Sequence, residues 1–142
     1  MNRQSKGISL KKINVTDRFL KREMELARTE VIPYQWEALN DNVEGAEPSF
    51  CMRNFKLAAK LGEKRRALGQ ESLPVWTTEE FNLVPEKGKP MEDRFYGFVF
   101  QDTDFSKWIE AVGYSLAAHP DPELEKLADR HCVCGTVRGW VS

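Results

Sequence analysis

From Phe105 to Leu116 large apolar side chains recur three and four residues apart, at Phe105, Trp108, Ile109, Val112 and Leu116. That spacing gathers them on one face of a helix, and so wide an apolar face has to be buried against other elements. Ala111 and Ser115 interleave with it as small residues that let a neighbouring helix approach closely. His119 and Pro120 end the run. Asp121 as N-cap and Pro122 in the first turn then open a second helix, "PELEKLADR", with Leu124, Leu127 and Ala128 inward. Two amphipathic helices joined by a tight turn, with no second strand-rich region, predict a fold that is mainly α.

The remainder agrees with that class. Weak alternation at Ile13 and Val15 suits a short N-terminal strand or extended arm. Thr16 or Asp17 can cap a helix carrying Leu20, Met24, Ala27 and Val31 on one stripe. Pro33 is expected to end that helix, because its ring disfavours the helical region for Ile32, and to start a short second one, "PYQWEALN". Asn40 and Asp41 read as stop and turn. Ser49 caps a helix from Phe50 to Leu61, with Gly62 at its C-terminal left-handed position. Residues 63–94, charged and interrupted by Pro74, Pro85 and Pro90, predict a long surface loop or insertion, with Trp76 and Phe81 tacking it to the body. "FYGFVF" resumes as a buried extended piece in which Gly97 permits close backbone approach.

Charge decides what such a chain can bind. Its 142 residues carry 21 Lys and Arg against 22 Asp and Glu, so there is no electrostatic footprint for nucleic acid or an anionic membrane. No run approaches the roughly 18 apolar residues of a membrane span. The basic N-terminus lacks the apolar core of a signal peptide, which makes cytoplasmic the default location. "HCVC", His131 to Cys134, brings three soft ligands together, but a structural zinc site needs a second pair, and Cys51 sits among apolar neighbours as a core thiol. No metal site and no catalytic group is assigned. "QDTD", residues 101–104, carries two readings. Asp102, Thr103 or Asp104 can cap the following helix, or Gln101, Asp102 and Asp104 can form a polar cluster at a pocket mouth.

Three stretches taken in order, "VTDRFLKREMELARTEVIPYQWEALND", "GAEPSFCMRNFKLAA" and "FYGFVFQDTDFSKWIEAVGYSLAAHPDPELEKLAD", resemble the beginning of the catalytic domain of glycoside hydrolase family 127, the β-L-arabinofuranosidases. The resemblance covers residues 15–129, with 63–94 as an insertion, in a single partial domain, 1–142. It implies the first helices of an (α/α)6 barrel, a carbohydrate substrate, and a role for Gln101, Asp102 and Asp104 in lining the sugar pocket. It also implies zinc in the full-length family, associated with a cysteine nucleophile and joined by a glutamate acid/base. Both of these lie beyond this chain's end, so the chain by itself is expected to be inactive.

Two departures accompany the resemblance. Phe50 stands where the family carries a histidine, which removes a sugar contact. Residues 130–142, "RHCVCGTVRGWVS", replace an apolar helix and its following turn, and so predict a truncated or frameshifted reading frame with an aberrant tail. Barrel helices left without neighbours predict self-association through the exposed face of Phe105, Trp108, Ile109, Val112 and Leu116. The competing reading is a non-catalytic helical binding or interaction module.

Overall fold

The computed structural model describes residues 7–69, 82–98 and 100–133. A 3-10 turn at Leu10–Lys12 leads into an extended arm, so the expected strand or arm is an arm. Helix α1 (Arg18–Leu26) follows. Of its two candidate caps Asp17 is the one used, accepting the Leu20 N–H at 2.8 Å.

Pro33 does not end this helix. A π-helical segment, Ala27–Val31, joins α1 to α2 (Ile32–Leu39) without a break, and Ile32 keeps helical angles of −61° and −48°. Its N–H bonds the Ala27 carbonyl five residues back, so the backbone has widened by one residue just before the proline. That widening accommodates a ring that would otherwise meet the preceding turn. Asn40 and Asp41 do make the stop, with Asp41 at φ +61°.

Helix α3 (Cys51–Ala67) also overruns its expected end at Gly62. Gly62 is tolerated in the interior, and Lys64, Arg65 and Arg66 in the last turn favour the negative end of the helix dipole. The predicted loop therefore loses its first residues to α3. Residues 70–81, including Trp76 and Phe81, lie outside the described residues. Strands β1 (Asn82–Leu83) and β2 (Gly97–Phe98) pair antiparallel, Asn82 opposite Phe98 and Leu83 opposite Gly97. Among the described residues of "FYGFVF" only Tyr96 is buried; Phe98 and Phe100 are half exposed.

Helix α4 (Gln101–Ala118) is the hub, packing on α2, α3 and α5 (Pro122–Val133). Asp121 caps α5 through its carboxylate, which accepts the Glu123 and Leu124 N–H groups. The helix runs on through Val133, beyond the point where the tail was expected to break it; residues 134–142 lie outside the described residues. The core joins Ile32, Leu39, Cys51, Met52, Phe105, Trp108, Val112 and Ala128. Trp108 is 1% exposed and donates its indole N–H to the Ile32 carbonyl at 3.0 Å, fixing α4 against α2. The face expected to drive self-association is thus largely consumed inside this chain, with Phe105 and Val112 at 5% and 1% exposure.

Candidate functional site

The polar groups of the chain converge where α3 and α4 begin. Asp41 sets the arrangement up: one carboxylate oxygen accepts the backbone N–H of both Ser49, at 2.7 Å, and Phe50, at 3.0 Å. Phe50 is held at φ +59°, a conformation that bulky residues rarely adopt. Its ring is buried 5.8 Å from that of Tyr96. Ser49 Oγ accepts the Cys51 N–H at 3.1 Å, so Ser49 does cap α3 although the N-cap position itself falls on Phe50.

Gln101 closes the junction from the other side. It is 9% exposed, and its amide donates to the Ser49 carbonyl while its Oε1 accepts from Asn54 Nδ2 at 2.7 Å. Asn54 also donates to the Tyr96 carbonyl at 2.7 Å and accepts the Tyr96 N–H at 3.3 Å. Gly97 makes this possible. At φ +81°, a Cβ there would overlap the Gln101 amide and lie 3.0 Å from the Ser49 carbonyl oxygen. The close approach expected at this glycine is what the structure contains. Arg53 adds a clamp, donating to the Arg94 and Glu92 carbonyls and resting 4.8 Å over the Tyr96 ring.

Asp102 and Asp104 face the other way. Both are exposed in the first turn of α4, with Asp104 3.7 Å from Lys107. Neither they nor Thr103 is the N-cap; that position is Phe100, which makes no side-chain capping bond. Thr103 instead sends its N–H and Oγ1 to the Phe100 carbonyl. The three sequence-predicted site residues are therefore divided: Gln101 is consumed in the junction, and the two acids stand exposed at the positive end of the α4 dipole. Immediately before them, the exposed rings of Phe98 and Phe100 meet edge to face at 5.3 Å. Asn54 was missed by sequence reasoning, although an amide among the apolar residues of "FCMRNFKLAA" is itself a signal.

Cys51 lies within this junction as a thiol. Its Sγ–H donates to the Gln101 carbonyl at 3.2 Å, and burial, followed by the negative charge of Asp104, pushes its pKa up to about 12. His131 turns its ring to Trp36, 4.7 Å away. Two clefts among the described residues lie elsewhere. One of about 360 Å³ lies between the arm, α1 and the end of α4; one of about 290 Å³ lies among α2, α4 and α5. Neither is lined by Gln101, Asp102 or Asp104.

Comparison with known proteins gives a concordant result. The β-L-arabinofuranosidase, GH127 catalytic domain family matches residues 12–134. A non-reducing end β-L-arabinofuranosidase of Bifidobacterium longum subsp. longum is 37% identical over 118 residues, which is 83% of this chain and 15% of that protein. The crystal structure of a GH127 β-L-arabinofuranosidase from Geobacillus stearothermophilus T6 superposes with a TM-score of 0.54 at 44% identity, covering 82% of this chain and 14% of that one. The chain thus spans about a seventh of the length of these relatives, and its helices match the N-terminal part of a GH127 helical barrel.

Proposed function

Because this chain belongs to the β-L-arabinofuranosidase GH127 catalytic-domain family, we propose that it forms the opening helices of a glycoside hydrolase acting on a non-reducing-end β-L-arabinofuranoside or a closely related sugar. The observation that carries the reading is the match of 83% of the chain to one such hydrolase at 37% identity. A cytoplasmic location belongs to the same reading; among the described residues no helix is long and apolar enough to cross a membrane.

The start of α4 is the part of the chain we assign to the sugar. Carboxylates accept hydrogen bonds from hydroxyls, and aromatic rings pack on the apolar faces of ligands. Asp102 and Asp104, exposed beside the exposed Phe98 and Phe100, offer both. Gln101, its amide already bonded within the junction, holds that helix start in place rather than touching the ligand.

Chemistry requires more than this. A retaining glycosidase needs a proton donor and a nucleophile on opposite faces of the sugar. Asp102, Asp104 and Glu110 all stand on one helix, and Glu110 is engaged by the Tyr114 hydroxyl at 2.7 Å. Nor do the described residues fit the zinc that the family resemblance implies. Cys51 is buried with its proton held at high pKa, and no three His, Cys, Asp or Glu side chains among the described residues converge. We accordingly assign the catalytic pair and any metal to other parts of such an enzyme, as the family resemblance implies.

The test pairs two measurements. The purified 142-residue chain should show no turnover of an aryl β-L-arabinofuranoside. In a full-length relative, Asp102→Asn and Asp104→Asn at the matching positions should lower kcat/KM about tenfold or more, the worth of about 1.4 kcal/mol of sugar contact, with the melting temperature unchanged. Unchanged kinetics in both variants would remove the acids from the sugar site. Turnover by the short chain that vanishes with Asp102→Ala or Asp104→Ala would overturn the placement of the chemistry elsewhere.

A further inference from the structure

One apolar stripe remains uncovered on the outer side of α1 and α2. Phe19 and Leu26 are seven residues apart, hence within about 20° of each other around α1. They are 67% and 47% exposed. Beyond them the π-helical segment inserts one residue into the helical count, which brings Val31 and Tyr34 round to the same side. These two are 42% and 59% exposed. Met24, by contrast, turns to the cleft beside the N-terminal arm. The continuous helix from 18 to 39 therefore carries four large exposed side chains on a single line.

Charges flank that line in a self-complementary order. Arg18 and Arg22 lie near its N-terminal end and Glu30 towards its C-terminal end, on the same edge of the stripe once the inserted residue is counted. All three are exposed, and neither Arg22 nor Glu30 has an ion-pair partner among the described residues. When two identical helices pack antiparallel about a two-fold axis, like edges abut with opposite polarity. With the axis near Leu26, Arg22 meets Glu30 of the second copy, and the pair occurs twice. Phe19 then lies against the Tyr34 end of its mate, and the two Leu26 side chains meet at the centre.

We propose that this face of α1 and α2 binds a second copy of the same chain in an antiparallel, two-fold arrangement. The apolar line supplies the burial, and the Arg22 and Glu30 edge sets orientation and register. A parallel two-fold pair would bring opposite edges together instead, so Arg22 would not reach Glu30 of the second copy and both matched pairs would be lost.

Sedimentation equilibrium of the full chain tests this. A reversible dimer is expected, weakened by salt. Leu26→Asp should leave a monomer with an unchanged far-ultraviolet circular dichroism spectrum. Arg22→Glu alone and Glu30→Arg alone should each weaken dimerisation about tenfold, through loss of two exposed pairs and gain of repulsion. The double variant R22E/E30R should restore it, since the swapped charges are again complementary. That recovery reports on the interface itself, because a variant that simply unfolded would not regain affinity on receiving a second change. A chain that stays monomeric up to about 100 µM, weaker than most functional self-association, would overturn the proposal. So would a dimer indifferent to Leu26→Asp and to both charge reversals, which would place the contact on another surface.

Discussion

At the scale of single residues, the junction of α3 and α4 depends on what Gly97 lacks. With a methyl group there the Gln101 amide has nowhere to go, and the backbone at φ +81° resists any L side chain. Gly97→Ala should therefore destabilise the chain by about 1–3 kcal/mol, the usual cost of a forced left-handed residue. Asp102→Asn, on the exposed side of the same helix turn, should stay within about 0.5 kcal/mol. Urea unfolding of both variants checks the contrast; equal midpoints would mean that the junction can shift away from Gly97 without loss. Roles of this kind are legible in sequence when they are local. Asp121 and Asp17 each cap the helix that starts beside them, and Asn40 with Asp41 turn the chain where they stand. Gln101 could be nominated but not understood, because its partners Ser49 and Asn54 are about fifty residues away. Nothing in "QDTD" itself says that the amide points inward and the acids outward.

At the scale of elements, the apolar periods located the helices and the punctuation misplaced two of their ends. Pro33 and Gly62 are both ordinary helix-stop signals, and both lie inside helices. Burial outweighed them: Ile32 and Leu39 on α2, and Cys51, Met52 and Leu57 on α3, anchor each helix regardless of one unfavourable residue. The proline's effect appears in the π-helical segment before it. Pro33→Ala supplies the missing N–H and removes the ring, while the burial of Ile32 and Leu39 keeps α2 in register and the widened turn in place. A gain of up to about 3 kcal/mol is expected, the full penalty of an interior proline being the limit. It would be read as a rise in the urea midpoint. No rise would show that the widened turn already accommodates the ring without cost.

At the scale of the whole molecule, α4 holds the fold together, and its far partner α5 brings a titratable ring into the packing. His131 packs its ring at a tilt against Trp36, and burial first, then the charges of Arg130 and Lys56, hold its pKa below the ordinary value of 6.5. The unfolded chain then takes up a proton more readily than the folded one. Stability is complete above about pH 6.5 and falls as the pH drops towards the lowered value. Between about pH 7 and pH 5.5 the melting temperature should decline, and His131→Phe should shrink that decline. An identical slope in both proteins would remove His131 as its source. The helical class and the family are legible at this scale because long apolar stripes and "VFQDTDFSKWIEA" survive in the sequence. The uncovered side of α1 and α2 is not, since its line forms only when a one-residue widening shifts the phase of the helix. That widening also bears on how such a chain can change over evolutionary time. A helix normally keeps strict count, and losing a residue turns everything downstream by about 100°. Within 27–31 this chain holds a spare residue. A deletion there would tighten the coil and leave α2 seated on α4, so this segment is where related chains can differ in length by one while keeping the same packing.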